Sequence, residues 1–308
     1  MDATDGARIA DRAGTADQAA DRAAPQRAAG RWLRWSAALL RACHPGPTVA
    51  VTLLVLGLAV AAGQDAAGCA LAATAVLAGQ LSVGWSNDAV DAARDTAVGR
   101  AAKPVVGGAV DARAVGIAAV VALALCVPLS LAYGVAAGAV HLVAVAAAWT
   151  YNLRLKSTVL SWLPYAVGFA ALPAFVTLGL PGQPRPAWWI VSAAALVGVG
   201  AHLGNVLPDI EADLATGVRG WPQRLGPRAV RLLLPVPLTA ATVLLALGGP
   251  GAAGGVGTVG GVGMGVALVA AVGGALMGRH RPRVPFLAAI LVAGVDVALL
   301  LWQGAALS

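Results

Sequence analysis

The chain is poor in charged residues, which make up 11% of its 308 residues. An ordinary soluble domain carries roughly a quarter. Hydrophobic residues instead account for 59% of the chain. This composition excludes an ordinary soluble domain and makes a lipid bilayer the solvent that the fold has to satisfy.

Cysteine is scarce as well. The three cysteines, Cys43, Cys69 and Cys126, show neither a Cys-x-x-Cys pair nor any other metal-binding spacing. Cys69 and Cys126 fall inside apolar stretches, where cysteine behaves as a small hydrophobic residue. We therefore interpret the cysteines as core residues.

Apolar stretches of about twenty residues, by contrast, recur along the whole chain, and each is long enough to cross a hydrocarbon core of roughly 30 Å. They lie at approximately 46–63, 66–86, 112–131, 134–150, 160–180, 187–207, 229–248, 256–277 and 284–303. The eighth is weakened by several glycines, which membrane helices tolerate. The sequence therefore predicts an all-α, polytopic membrane protein of about nine transmembrane helices.

The basic residues sort onto one side of these nine spans. Every Lys and Arg except Arg185 lies before the first span or after an even-numbered one. Because basic residues accumulate in short cytoplasmic loops, we expect a multi-pass cell-membrane protein with a cytoplasmic N-terminus. The net charge of +7 then reflects topology and attraction to anionic lipid, and it does not indicate a nucleic-acid partner.

The N-terminal segment differs from the rest of the chain. Its first thirty residues are mainly Ala, Arg, Asp and Gly, and they lack the basic-then-apolar layout of a signal peptide. A short amphipathic stretch follows, with Trp32, Leu33 and Trp35 beside Arg31 and Arg34. We predict a disordered or interfacial cytoplasmic tail over residues 1–35 and a transmembrane domain over residues 36–308.

The most informative feature is a motif, Asn-x3-Asp-x3-Asp-x3-Gly, that recurs four spans later. The first copy is Asn87, Asp91, Asp95 and Gly99, and the second is Asn205, Asp209, Asp213 and Gly217. Basic residues follow each copy: Arg100 and Lys103 in the first, Arg219 and Arg224 in the second. Because an even number of spans separates the copies, both lie at cytoplasmic ends of their helices.

Residues four apart share one helical face, so each motif is expected to project its oxygens along a stripe roughly 12 Å long. Ionised carboxylates at membrane depth are costly unless they are paired or bind metal. Two facing stripes of carboxylates predict Mg²⁺, which takes oxygen ligands and bridges to substrate phosphates. The alternative, two solvated helix ends, does not account for six of the fourteen acidic residues lying in these segments.

These segments resemble a known family. NDAVDAARDTAVGRAAKP at 87–104 is similar to the first aspartate-rich motif of the UbiA superfamily of intramembrane prenyltransferases, and NVLPDIEADLATGVRGWPQRLG at 205–226 is similar to the second. YNLRLK at 151–156 resembles the family's Tyr-and-Lys loop, and RACHP at 41–45 is also similar. The resemblance covers nearly everything after residue 35.

The resemblance implies a ring of nine helices around a central cavity and an Mg²⁺-bound prenyl diphosphate. Its implied metal-binding and catalytic carboxylates are Asp91, Asp95, Asp209 and Asp213, with Asn87, Asp88 and Asn205 as further metal-site residues. Its implied phosphate-binding residues are Arg100, Lys103, Lys156 and Arg224. Asn205 departs from the family, because many members have Asp at that position.

The implied reaction is ionisation of an allylic diphosphate and capture of the carbocation by an aromatic or lipophilic acceptor. Two roles are open for Tyr151. Its side chain contacts the phosphate or the carbocation, or it is an ordinary aromatic residue at the membrane interface. His202 shares the face of the second motif, so it is either an acceptor contact or a structural histidine. His141 and Asp296 lie inside spans, and we favour a core histidine and a helix–helix hydrogen bond, respectively.

Other functions remain open at this point. A UbiA-type terpene cyclase uses the same site, although an aromatic content of 5% argues against the cation-π stabilisation that cyclisation needs. A related phosphoribosyl transferase would need more polar residues in its cavity. A secondary transporter would place its acids near the midplane, and a CDP-alcohol phosphotransferase would carry a motif that is absent here.

We expect a monomer, because each chain supplies both motifs.

Overall fold

The computed structural model describes residues 32–248, 257–277, 281 and 284–303, and all regular secondary structure in these ranges is helical. This confirms the all-α prediction; most of the predicted tail, residues 1–31, lies outside the described residues. The helices are α1 (Trp32–Ala42), α2 (Pro45–Ala61), α3 (Ala66–Ala97), α4 (Ala112–Tyr133), α5 (Val135–Leu153), α6 (Leu163–Leu178), α7 (Trp188–Val206), α8 (Ile210–Ala215), α9 (Trp221–Leu233), α10 (Pro235–Leu247), α11 (Thr258–Met277) and α12 (Val284–Trp302).

The predicted number of nine spans is not confirmed. In the described part of the chain, 5 helices are long and apolar enough to cross a membrane, or up to 7 if the bent pairs α1–α2 and α9–α10 are each one span. Helix α6 has 16 residues, which give it roughly 24 Å and leave it short of the hydrocarbon core. The predicted span 160–180 is longer than α6 because turns occupy both of its ends.

The helices form a closed ring. Each of the helices α2 to α7 packs against the next, α7 packs against α10, and α10, α11 and α12 continue the series until α12 meets α2. The buried core inside the ring is built mainly from alanine, valine and leucine, with Phe175 and Ile190 fully buried. Gly198 allows α7 to approach α6 closely, because a side chain there would collide with the Tyr165 backbone.

Helix α1 meets α2 at an angle of 65°. The bend lies at His44, which has a left-handed backbone with φ 56°, and Pro45 then begins α2. The Trp85 indole on α3 donates to the Leu39 carbonyl at 2.8 Å and fixes α1 against α3. Helix α1 runs across the predicted boundary between residues 35 and 36, and its bend places His44 beside the first motif.

Candidate active site

The first motif lies on the last turns of α3. Asp88, Asp91 and Asp95 are all buried there, with 3%, 1% and 1% of their surface exposed. Gly99 then ends the helix in a left-handed conformation with φ 67°. The Arg100 N–H donates to the Asp95 carbonyl at 3.0 Å, which is the hydrogen bond that reverses a chain after a helix. This turn returns Arg100 to the side of Asp95.

The second motif is not on one continuous α-helix. Helix α7 ends at Val206, a 3₁₀ turn covers Leu207–Asp209, and α8 follows. Pro208 explains the break, because it lacks an N–H and its ring collides with the carbonyl one turn earlier. The expected straight stripe is therefore wrong for Asn205, Asp209 and Asp213.

The break gives the three side chains of the second motif different surroundings. The Asn205 amide donates to the Tyr165 hydroxyl at 3.0 Å. Asp209 is half exposed, with 51% of its side chain accessible. Asp213 is buried and accepts a hydrogen bond from Gln223 at 2.8 Å. The motif ends as the first one does, because Gly217 has φ 81° and the Val218 N–H donates to the Asp213 carbonyl at 2.9 Å.

Arg100 joins the two motifs. Its Nη1 lies 3.2 Å from Asp95 Oδ1 in the first motif. Its Nη2 lies 3.1 Å from Asp209 Oδ1 and 3.7 Å from Asp213 Oδ1 in the second. The structure therefore brings the two copies face to face at one end of the helix ring, as the repeat predicted.

Two lysines complete the pairing of charges in the first motif. Lys103 Nζ lies 2.8 Å from Asp88 Oδ1 and 2.7 Å from Asp95 Oδ2. Lys156, on the loop after α5, pairs with Asp91. Burial, followed by repulsion from the Arg94 guanidinium, lowers the pKa of Lys156 to about 8. Desolvated cations beside carboxylates are suited to binding phosphate oxygens.

Three predicted residues make other contacts than those with Arg100. Arg224 is exposed, and its Nε donates to the Arg219 carbonyl at 2.8 Å. Asn87 donates to the Asn152 side chain at 3.2 Å. Asp88 contacts Lys103 and His44, the latter at 3.0 Å, and it forms no ion pair with Arg100 among the described residues. These contacts make Asp88 a partner of Lys103.

An aromatic cluster lies beside the second motif. Tyr165 packs against Tyr151 and His202, with ring centroids 5.3 Å and 4.8 Å away. Tyr151 and His202 meet edge to face at 5.8 Å. His202 Nε2 lies 3.1 Å from Ser161 Oγ, and its Nδ1 has no hydrogen-bond partner in the described part of the chain. Through the hydrogen bond between Tyr165 and Asn205, this cluster is continuous with the acidic site.

Sequence reasoning missed several residues that support the site. Arg94 pairs with Asp91 one turn away on α3, and its spacing within the motif was a usable signal. Gln223 lies in the segment that follows the second motif. Asn152 lies in the segment 151–156 that resembles the family's Tyr-and-Lys loop. Tyr165 lies on α6, outside every segment of the resemblance, so no local pattern links it to the site.

Two polar residues inside helices lie outside the site. His141 Nδ1 lies 2.8 Å from Ser130 Oγ, and its ring packs against Phe175 at 4.8 Å. This is the core arrangement predicted for His141. Asp296 on α12 contacts Thr242 on α10 at 2.6 Å, which confirms the predicted contact between helices.

The donor set is compatible with Mg²⁺. Asp91 Oδ1 and Asp95 Oδ2 are buried and make no hydrogen bond within the described residues, although both contact cationic side chains. No group of three His, Cys, Asp or Glu side chains in the described ranges is close enough to hold a metal alone. Mg²⁺ is usually bound through one or two carboxylates together with substrate phosphates. The residues therefore fit a metal that arrives with a phosphate ligand.

The ring of apolar helices, with an acidic site at one of its ends, is the architecture of a multi-pass membrane protein. The chain belongs to the UbiA prenyltransferase family, which matches residues 48–303. No curated protein matches it.

Solved structures of UbiA homologues share the fold. One from Archaeoglobus fulgidus, bound to GPP and Mg²⁺, is 16% identical, with a TM-score of 0.64 over 87% of this chain and 99% of that one. The apo structure of a homologue from Aeropyrum pernix K1 is 22% identical, with a TM-score of 0.59 over 80% and 97%. A digeranylgeranylglyceryl phosphate synthase is 13% identical, with a TM-score of 0.65 over 88% and 99%.

Proposed function

We propose that the protein transfers a prenyl group from an Mg²⁺-bound isoprenyl diphosphate to an aromatic or lipophilic acceptor and releases diphosphate. The observation that carries this proposal is the Arg100 guanidinium, which lies between Asp95 of one motif and Asp209 of the other. Carboxylates and cations thereby meet at the end of an apolar helix ring. Homologues of the same fold bound to GPP or DMAPP with Mg²⁺ support the assignment of the donor.

The metal would be held by Asp91 and Asp95 on one side and by Asp209 and Asp213 on the other. Asn87 and Asn205 offer amide oxygens at the first position of each motif, and Asp88 orients Lys103. When bound, Mg²⁺ would neutralise charge on the diphosphate and so make it a better leaving group.

The phosphate oxygens would be bound by the cations that now pair with these carboxylates. Arg100 presents a planar fork of donors, which matches phosphate geometry. Lys103 and Lys156 supply half-buried point charges that pair with carboxylates of the first motif. Arg224 faces solvent in the structure. We propose it as a further phosphate contact because its position matches the family motif.

The reaction breaks the bond between the allylic carbon and the diphosphate oxygen. A new bond forms from that carbon to the nucleophilic atom of the acceptor, and the acceptor loses a proton. The apolar ring keeps water from the carbocation. Tyr151 and Tyr165 present aromatic rings that stabilise the cation, and His202 lies on the same wall as a proposed acceptor contact.

The second candidate is a UbiA-type terpene cyclase, in which the carbocation is captured within its own prenyl chain. The aromatic cluster favours it, because Tyr151, Tyr165 and His202 lie together beside the second motif. The chain's overall aromatic content is low, but these rings are concentrated where a cation would form.

The test is diphosphate release from geranyl, farnesyl and geranylgeranyl diphosphate by purified protein, with and without Mg²⁺ and with and without lipid extract. Product masses are read in the same assay. Mg²⁺-dependent release that requires an acceptor supports the transferase, and acceptor-free release with a cyclic product supports the cyclase. Absence of release from folded protein contradicts the use of these three donors and favours a different diphosphate donor or transport.

We further propose that the protein acts as a monomer in the cell membrane, with its N-terminus and acidic site on the cytoplasmic side. The placement of basic residues along the sequence supports this orientation. A membrane-impermeant thiol reagent added to intact and to opened cells tests it with Ala109→Cys, an exposed position in the loop between α3 and α4. Labelling only after opening is expected, and labelling of intact cells contradicts the orientation.

A further inference from the structure

Ser161 connects three parts of the chain beside the second motif. It lies in the turn before α6 and is fully buried. Its Oγ accepts a hydrogen bond from the Trp221 N–H at 3.0 Å, where α9 begins, and lies 3.1 Å from His202 Nε2 on α7. Gly220 permits this approach, because a side chain there would lie 3.0 Å from Ser161 Oγ. The contact between Ser161 and His202 is therefore part of the way these three segments pack.

The hydroxyl proton of Ser161 determines which nitrogen of His202 carries a proton. Within the described residues, His202 Nε2 is the only acceptor in contact with this hydroxyl, whose oxygen already accepts from Trp221. A neutral imidazole has one N–H and one nitrogen with a lone pair. If Ser161 donates to Nε2, the N–H is on Nδ1, and that group alone lacks a partner. In the opposite arrangement, the Ser161 proton and the Nδ1 lone pair would both lack partners, which buried polar groups rarely do.

A second buried pair of serine and histidine, Ser130 and His141, has its hydrogen bond in the opposite direction. Ser130 Oγ donates to the Cys126 carbonyl at 2.6 Å, so its hydroxyl proton is already used. Its contact with His141 Nδ1 at 2.8 Å is then a hydrogen bond donated by the histidine. Ser161 differs because it contacts a backbone N–H in place of a carbonyl.

The Nδ1 atom is the part of His202 that remains available to a ligand. It is buried and has no hydrogen-bond partner in the described part of the chain. The ring that carries it packs against Tyr151 and Tyr165, with centroids 5.8 Å and 4.8 Å away. With a proton on Nδ1 and Nε2 occupied by Ser161, the neutral ring offers a hydrogen-bond donor and no free lone pair.

We propose that Ser161 is a positioning residue that holds His202 as the tautomer with its proton on Nδ1. His202 then acts as a hydrogen-bond donor, and it is not the base that takes a proton from the acceptor. The tautomer is a property of the protein alone, whereas its part in the reaction rests on the proposed function.

The first test is ¹⁵N NMR of the purified protein labelled at histidine, without diphosphate or acceptor and at mildly alkaline pH, where histidine is neutral. The protonated and unprotonated nitrogens of a neutral ring have different ¹⁵N shifts, and their couplings to the ring C–H protons tell Nδ1 from Nε2. His202→Gln, or His202→Asn if that variant does not fold, identifies the His202 signals by their loss. The wild type should carry the proton on Nδ1, and a proton on Nε2 would overturn the proposal.

Substitutions of Ser161 test what sets the tautomer. Ser161→Ala should increase the population with the proton on Nε2, because Nε2 has lost its donor, and Ser161→Thr should restore the wild-type signals. Ser130→Ala is the matched control, because it makes the same change beside His141 and should leave the His202 signals unchanged. An unchanged tautomer in Ser161→Ala would overturn the role of Ser161. The wild-type spectrum still tests the proposal if Ser161→Ala does not fold.

Diphosphate release with an acceptor tests the part of His202 in the reaction. Glutamine keeps an N–H donor and leucine has none, so His202→Gln should retain a higher kcat than His202→Leu. Ser161→Ala should lower kcat by roughly 2- to 10-fold, the effect of about one hydrogen bond. Equal losses in His202→Gln and His202→Leu would overturn the donor role. If the wild type releases no diphosphate, the proposed function fails, while the NMR spectra still decide whether Ser161 sets the tautomer.

Discussion

The Arg100 guanidinium lies 3.1 Å from Asp209 and, through its other nitrogen, 3.2 Å from Asp95. These two carboxylates belong to different copies of the repeated motif and to opposite walls of the helix ring. A single side chain thus makes the two motifs one site. The helix-ending turn at Gly99 is what places Arg100 there.

Replacing Arg100 by Lys should lower kcat/KM for the prenyl diphosphate by roughly 10- to 100-fold, since hydrogen bonds to charged groups are worth about 1.5–3 kcal/mol each. Lysine keeps the charge but cannot span both carboxylates. Steady-state diphosphate release measures the effect. Arg113→Lys, at an exposed position on α4, is the control, and an equal loss in both variants would contradict a bridging role.

Gly99→Ala should destabilise the protein by about 1–2 kcal/mol, because an L-residue is strained in the left-handed region. It should also raise the Mg²⁺ concentration needed for half-maximal activity, because Arg100 would be displaced from Asp95. Thermal unfolding in detergent and an Mg²⁺ titration check the two effects. Gly168→Ala is the control, because a side chain there meets no atom within 4 Å. Equal losses of thermal stability and activity in the two variants would contradict a role for the Gly99 turn in positioning Arg100.

Gln223→Leu should raise the Mg²⁺ concentration needed for half-maximal activity. The variant removes the donor that holds Asp213 at 2.8 Å and leaves a buried carboxylate without that partner. The measurement is an Mg²⁺ titration of diphosphate release at saturating substrate. An unchanged Mg²⁺ requirement together with lower thermal stability would assign Gln223 a purely structural role.

Tyr165→Phe and Tyr165→Leu should separate two functions of one side chain. The phenylalanine variant loses only the hydrogen bond to Asn205 and should lower kcat by less than tenfold. The leucine variant also loses the ring beside Tyr151 and His202, so its kcat should fall by a further factor of roughly 5 to 30, the value of a partly desolvated cation-π contact. Equal rates in the two variants would exclude cation stabilisation by this ring.

The acidic site was largely predictable because most of its residues lie in two short segments of the sequence. The spacing in both motifs, the glycines that end them and the basic residues that follow are all visible along the chain. The break at Pro208 was also encoded locally, but the regular spacing of Asn205, Asp209 and Asp213 indicated an uninterrupted helix. A single proline changed the surroundings of all three side chains.

The supporting residues were not predictable in the same way. Tyr165 on α6 and Ser161 in the turn before it contact Asn205 and His202 on α7 because α6 and α7 are neighbours in the ring. A sequence pattern does not specify which residues of neighbouring helices meet. The predicted number of nine spans is not confirmed in the described part of the chain for a related reason. Hydropathy detects an apolar stretch such as 160–180, but proline and turn residues set the length of the helix within it.

The decisive measurement is Mg²⁺-dependent binding of a geranyl diphosphate analogue in which sulfur replaces the bridging oxygen. It compares the wild type with Asp91→Asn, Asp209→Asn, the double variant and, as control, Glu211→Gln at an exposed position beside the second motif. If both motifs form one metal-diphosphate site, each Asp substitution should weaken binding at least tenfold. The affinity loss of the double variant should be smaller than the product of the two single losses. Glu211→Gln should bind as the wild type does. Binding that is independent of Mg²⁺, or that survives in the double variant, would contradict the single site.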